Sequence, residues 1–203
     1  MWVPIALSRD VPPGITRAVI LEGAERAVWR AEDGSVQIWE DRCPHRGMRL
    51  SFGFVRGNAL NCLYHGWQYA ATAQCLRIPA HPDLQVPNTI RAVAFPVAEA
   101  GGMIWTHDKD DTALPTLPPT MSLASLAVEA SVDTILALCA TAPQGDAQVF
   151  AAEFEGIVFH LGWHEVSAQK TMLHATTRDA ADPTAALVAL RNLRARAEQR
   201  LAA

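Results

Sequence analysis

A chain of 203 residues, 50% hydrophobic and 19% charged, has the composition of a globular protein with its own core, in one ordinary domain or two small ones. Its 17 Lys and Arg against 21 Asp and Glu give a net charge of −4, which argues against nucleic-acid binding, since phosphate neutralisation needs a basic surplus. No apolar run approaches the roughly 18 residues of a membrane span, and the first ten residues lack a secretory signal pattern. A cytoplasmic location with reduced thiols is therefore expected. The four cysteines, Cys43, Cys62, Cys75 and Cys139, then read as ligands or core residues, not as a disulfide framework.

In chain order, residues 18–21, 27–30 and 36–39 are β-branched or aromatic runs separated by the turn sequences Glu22-Gly23 and Glu32-Asp33-Gly34. Further strands are expected over 59–61, 89–95 and 103–105, a spacing that suggests a small all-β sandwich or barrel. The Pro-rich stretch 114–120 cannot continue a helix or a central strand and is read as a linker between domains 1–113 and 121–203. Beyond it, 126–130 reads as a strand and 132–142 as a helix with apolar positions Ile135, Leu136, Leu138 and Cys139. Residues 148–163 and 170–177 read as strands. Asp182-Pro183 opens a closing helix whose stripe of Leu187, Leu190, Leu193 and Leu201 contrasts with Arg191, Arg194, Arg196 and Arg200, a solvated face.

The informative stretch is Cys43-Pro44-His45-Arg46-Gly47 followed by Cys62-Leu63-Tyr64-His65-Gly66-Trp67: C-x-H, a 16-residue gap, then C-x-x-H. Each half puts one thiolate and one imidazole in a tight loop, and Gly47 and Gly66 let the backbone bend just after each pair. A Cys2His2 zinc site is one option, although zinc fingers usually draw Cys-x-x-Cys from one element and His-x3-His from another. One Cys and one His per loop suit a two-iron cluster in which one iron takes both sulfurs and the other both imidazoles, the Rieske arrangement.

These motifs resemble the amino-terminal Rieske domain of Rieske non-haem iron oxygenase large subunits. The opening Trp2-Val3-Pro4-Ile5-Ala6, residues 74–80, Phe95-Pro96-Val97 and residues 102–106 are also similar, so the likeness covers about residues 1–110. It implies a Rieske [2Fe–2S] cluster as cofactor, held by Cys43 and Cys62 on one iron and His45 and His65 on the other. Leu63 stands where proline is frequent in the family, which leaves the ligands untouched. High-potential respiratory Rieske proteins carry an extra cysteine in each loop, absent here, so the low-potential oxygenase class fits better. Cys75 reads as a buried strand residue, Cys139 as part of a helix's apolar face, and Trp67 as packing beside the cluster.

A complete oxygenase needs a second, mononuclear iron on two histidines and a carboxylate. The tail offers Glu153, Glu155, His160, His164, Glu165 and His174 but not an acidic residue followed by two close histidines on a helix. In a straight strand His160 and His164 lie about 13 Å apart, so only a turn at Gly162-Trp163 could bring them to one metal. A mononuclear iron is therefore not expected, and no catalytic residue is assigned. The tail resembles a shortened helix-grip domain of small α+β type. The leading expectation is an iron–sulfur oxidoreductase that passes single electrons within a Rieske oxygenase-type system. Its donor would be a reductase or ferredoxin, its acceptor an oxygenase partner subunit, within a homo- or hetero-oligomer. The alternatives are a minimal oxygenase with its own iron in the tail and a non-enzymatic redox-sensing or assembly protein.

Overall fold

The computed structural model describes residues 1–107, 113–114, 116–118, 120–141, 147–178 and 182–200. Pro115 and Pro119 of the expected linker, Ala142 of the expected helix and Leu201 of the expected stripe lie outside them. In chain order the strands are β1 (Val3–Leu7), β2 (Thr16–Leu21), β3 (Ala24–Arg30), β4 (Val36–Glu40), β5 (Phe54–Arg56), β6 (Ala59–Asn61), β7 (Gln68–Ala70) and β8 (Cys75–Arg77). They continue with β9 (Ala94–Phe95), β10 (Ala98–Ala100), β11 (Met103–Thr106), β12 (Met121–Val128), β13 (Val149–Phe154), β14 (Ile157–Ser167) and β15 (Lys170–Thr177). The helices are α1 (Val132–Leu138) and α2 (Pro183–Gln199).

The contacts divide the chain into a central unit, residues 10–20 and 24–97, and a terminal unit, residues 1–9, 21–23 and 98–203. This boundary differs from the composition change at 114–120. The first strand and residues 98–107 group with the C-terminal residues because β1 pairs with β11, Val3 opposite Thr106, to make the three-stranded sheet β1-β11-β10. Described residues of the Pro-rich stretch also belong there: Thr120 Oγ1 donates to Gly101 O at 3.1 Å, and Leu117 packs against the core of Trp2, Met103 and Trp105.

The central unit holds two four-stranded sheets, β2-β3-β4-β9 and β5-β6-β7-β8. The β3–β4 hairpin turns where Asp33 Oδ1 accepts from Ser35 N at 2.9 Å and Arg30 Nη1 donates to Gly34 O at 2.8 Å. Its core combines Trp29, Trp39, Leu60 and Tyr69 with Cys43, Cys62 and Cys75. The strand expected over 89–95 shrinks to Ala94–Phe95. Pro87 initiates a turn that Ile90 N closes onto Pro87 O at 3.1 Å, so the chain arrives at β9 late.

In the terminal unit the sheet β12-β15-β14-β13 lies against α2, with Leu123, Phe150, Phe159, Leu161 and Leu173 meeting Leu190 and Leu193. The expected strand 148–163 is a hairpin, β13 and β14, joined at Glu155-Gly156; apolar alternation continues on both sides of that turn and hides it from a pattern reading. Asp182 caps α2, its Oδ1 accepting from Thr184 N at 2.9 Å and Ala185 N at 3.0 Å. The buried face of α2 differs from the leucine stripe: Ala186, Ala189, Leu190, Leu193 and Ala197 face the sheet while Leu187 is 37% exposed. Small alanines let the helix sit close to the strands, which a stripe of large residues alone does not reveal. Of the arginines, Arg194 pairs with Glu198 and Arg196 with Glu155, exposed pairs worth below about 1 kcal/mol each. Helix α1 ends at Leu138, short of 142, as Ala140 turns left-handed (φ 48°). The other face of the sheet meets β1 and β11 at Gly162, where a Cβ would lie 2.8 Å from Pro4 Cγ and 2.6 Å from Met103 Sδ. No helix among the described residues is long and apolar enough to cross a membrane.

Candidate metal centre

Two loops of the central unit share one backbone design. In the first, Cys43 N donates to Met48 O at 2.8 Å and Gly47 N to Cys43 O at 2.8 Å. In the second, Cys62 N donates to Trp67 O at 2.9 Å and Gly66 N to Cys62 O at 3.0 Å. Each cysteine thus closes its own loop onto residues four and five positions ahead, and the closing glycines adopt φ of +72° and +67°, where an L side chain is strained. The second loop is the tip of the β6–β7 hairpin, just beyond the Asn61–Gln68 pair. The first runs from the end of β4 to a 3-10 turn and β5, and β5 pairs with β6, Phe54 opposite Asn61. Buried Asp41 anchors this run by accepting from Ser51 N at 2.7 Å and Ser51 Oγ at 2.5 Å.

The four expected ligands come together in a polarised way. Cys43 and Cys62 are each 2% exposed, while His45 is half-buried and His65 exposed. The two imidazole rings stand 4.6 Å apart, centroid to centroid, at 61°. Trp67 stacks on His45 at 4.3 Å with a 6° tilt, and Tyr64 lies 3.7 Å from His65, so both rings are held by neighbours. Burial, the largest effect, pushes the Cys62 thiol up against the opposing N–H groups of Tyr64 and His65, and the Cys43 sulfur adds to the rise. Those amides are already aimed at the sulfur, as a thiolate requires. Desolvation first, then the charges of His65 and Arg46, lower His45, favouring the neutral imidazole that binds metal.

Among the described residues, no three His, Cys, Asp or Glu side chains come together to hold one metal ion. The loops offer instead two thiols inside and two imidazoles outside, a donor set that fits two metals sharing bridging sulfides better than a single tetrahedral zinc. Sequence reading missed Tyr69, whose hydroxyl lies 3.2 Å from Cys43 Sγ. The signal for it is slight: the middle residue of the short strand after the second loop, alternating inward. Cys75 is buried in β8 in the same core, as expected, its thiol raised by burial. Cys139 caps the end of α1, its thiol pushed up to about 11 by burial.

The tail candidates do not converge. Glu153 is exposed, and Glu155 accepts from Asn192 and Arg196. Strand β14 runs unbroken through Gly162-Trp163, so the turn that would join His160 to His164 is not there. His164 meets His174 instead: His174 Nε2 lies 3.2 Å from His164 Nδ1, which also lies 3.0 Å from Pro4 O, and His174 Nδ1 lies 2.9 Å from Ser125 Oγ.

The family model for the Rieske [2Fe-2S] domain matches residues 1–89. Oxidoreductase NdmD of Pseudomonas putida is 40% identical over 148 residues, 68% of this chain and 25% of that protein. The oxygenase subunit of 3-chlorobenzoate-3,4-dioxygenase from Comamonas testosteroni is 33% identical over 119 residues, 58% of this chain and 28% of its own. The chain thus spans about a quarter of the length of these curated relatives. Among solved structures, Pseudomonas putida CBB5 NdmA superposes with a TM-score of 0.75 at 20% identity, covering 99% of this chain and 80% of that one. Dicamba monooxygenase gives 0.71 at 19% identity, covering 93% and 80%. At that identity the likeness speaks to the fold: a Rieske domain followed by a small α+β part.

Proposed function

Since residues 1–89 are a Rieske [2Fe-2S] domain, we propose that the chain is an iron–sulfur oxidoreductase that transfers one electron at a time within a Rieske oxygenase-type system. Cys43 and Cys62 would hold the inner iron and His45 and His65 the outer one; the cluster supplies a one-electron couple. The observation that carries this reading is the polarity of the site. The thiols are buried in one core with Trp39 and Tyr69, while His45 is half-buried and His65 exposed, so an electron can enter or leave on the imidazole side.

The chain's own residues do the rest. Asp41 and the twin loop closures fix the donors, while Trp67 and Tyr64 hold the histidine rings. Because a metal-bound Cys43 carries no proton, Tyr69 O–H must be the donor in their contact. That hydrogen bond favours the more negative, reduced state. Tyr69→Phe is therefore expected to lower the reduction potential by roughly 40–60 mV, for a differential near 1 kcal/mol, with the spectrum retained. Protein-film voltammetry reads it; an unchanged or raised potential contradicts the role given to Tyr69.

The acceptor is proposed to be an oxygenase partner and the donor a reductase or ferredoxin. Metal and sulfide counting with paramagnetic resonance of the reduced sample tests the whole reading. Two irons and two sulfides per chain support it. A third iron, lost with His164→Ala or His174→Ala, would move the function to a minimal oxygenase.

A further inference from the structure

We propose that the terminal unit carries a binding site for a small primary ammonium compound, walled by Glu22, His107 and Gln148. It is separate from the two cluster loops and does not depend on the electron-transfer reading. A hollow of about 300 Å³ opens at the start of β1, and every residue lining it belongs to the terminal unit.

Strand pairing and one turn build the walls. Val3 stands opposite Thr106 across β1 and β11, and directly opposed residues present their side chains on one face. His107 follows β11 and packs its ring against Trp2 at 4.3 Å and 77°. Gln148 is drawn to the same strand end, its N–H donating to Trp2 O at 3.1 Å. Glu22 comes from the two-residue turn between β2 and β3, which β14 holds: Glu22 N donates to Glu165 O at 2.7 Å and Gly23 N to Val166 O at 3.2 Å.

Two buried polar atoms of these walls have no hydrogen-bond partner, His107 Nδ1 and Gln148 Oε1. His107 as a whole is only 8% exposed. Buried polar groups are nearly always paired, and an unpaired one stays costly until a partner reaches it. Both atoms are covered, and the broad last torsions of His and Gln let them swing toward a guest. The Gln148 oxygen only accepts, as does the ionised Glu22 carboxylate, and His107 Nδ1 accepts in the tautomer with its proton on Nε2. No Lys or Arg lines the hollow, and Glu22 forms no ion pair among the described residues. Three acceptors without a cation match the three N–H donors of an ammonium group. Val3 and Leu21 add an aliphatic wall that suits a short hydrocarbon and has no use for a bare metal ion. The volume lies at the small end of the range for ligand sites, which limits the guest to a few heavy atoms.

The test is calorimetry of the full chain with n-butylammonium chloride, together with the unfolding midpoint with and without it. One site per chain and a raised midpoint are expected. Butyltrimethylammonium keeps the charge without N–H donors, and 1-butanol keeps the hydrocarbon without the charge; each should bind at least about tenfold more weakly. Glu22→Gln is expected to weaken butylammonium binding about fivefold. Gln148→Met, which removes the unpartnered oxygen at similar volume, should weaken it about tenfold while leaving the free chain's midpoint unchanged or higher, since no hydrogen bond is lost. A glutamine with only a structural role would lower that midpoint instead. Glu153→Gln on β13, which does not line the hollow, should stay within about twofold of the unmodified chain. Equal binding of the three compounds, binding unmoved by both Glu22→Gln and Gln148→Met, or no binding at all would overturn the site. Zinc chloride bound there in place of butylammonium would overturn its ligand class. None of these readouts passes through the cluster, so they stand or fall apart from electron transfer.

Discussion

His65→Ala is expected to abolish the Rieske spectrum and to bring iron and sulfide per chain close to zero. His65 sits three residues after Cys62 in a loop whose backbone closes on itself through Cys62 and Gly66, so removing its ring leaves the loop folded but one donor short. The outer iron would keep His45 alone. Because a preformed site is absent in the unfolded chain, lost metal binding is also lost folding free energy, and the central unit should melt earlier by several kcal/mol's worth of stability. His81→Ala, an exposed histidine of the same unit, is the control and should leave spectrum and iron content alone. An intact spectrum in His65→Ala would contradict the ligand assignment. Loss in both variants would point to general fragility instead.

The second large effect is on stability against pH. His164 and His174 are 1% and 2% exposed. Pro4 O can only accept, so His164 Nδ1 carries the proton in that contact; His174 Nε2 must then accept, and His174 Nδ1 donates to Ser125 Oγ. A second proton on His174 would set N–H against N–H. Burial first, and His164 second, accordingly hold His174 well below the ordinary histidine range. The sign follows. The unfolded state takes up the proton near pH 6.5 and the fold does not, so this contribution is complete above about pH 6.5 and is lost on acidification below it. The slope approaches about 1.4 kcal/mol per pH unit for one such group. Urea titrations at pH 7.5 and 5.5 should show the chain losing on the order of 1 kcal/mol, with His174→Asn weaker at pH 7.5 but flatter between the two. Parallel losses in both proteins would show that the acid sensitivity lies elsewhere.

The convergence of the two candidate loops was legible because their residues are local: two Cys/His pairs, each followed within two residues by a glycine, lie within 24 residues, from Cys43 to Gly66. The β3–β4 hairpin was legible for the same reason, as Asp33-Gly34 sits between two apolar runs. Contacts that depend on register were not. The His164–His174 contact needs Gly162 opposite His174 across β14 and β15, which no spacing within either strand discloses. Tyr69 reaches Cys43 only because the short strand after the second loop turns it inward onto the other loop. The face of α2 was misread where alanine, weakly hydrophobic but small, won the position nearest the sheet over Leu187.

The pairing of β1 with β11 sets an order of assembly. Apart from residues 21–23, the central unit is one run of chain, complete once residue 97 has been made. Among the described residues, strand β1 pairs only with β11, which must wait for Met103–Thr106, and its Pro4 meets His164 and Gly162 of β14 only after those have been made. On a chain growing from its amino end, contiguous segments close early and distant pairings last. The two loops can therefore be shaped while residues 98–203 are still being synthesised, with β1 left waiting as the later seam.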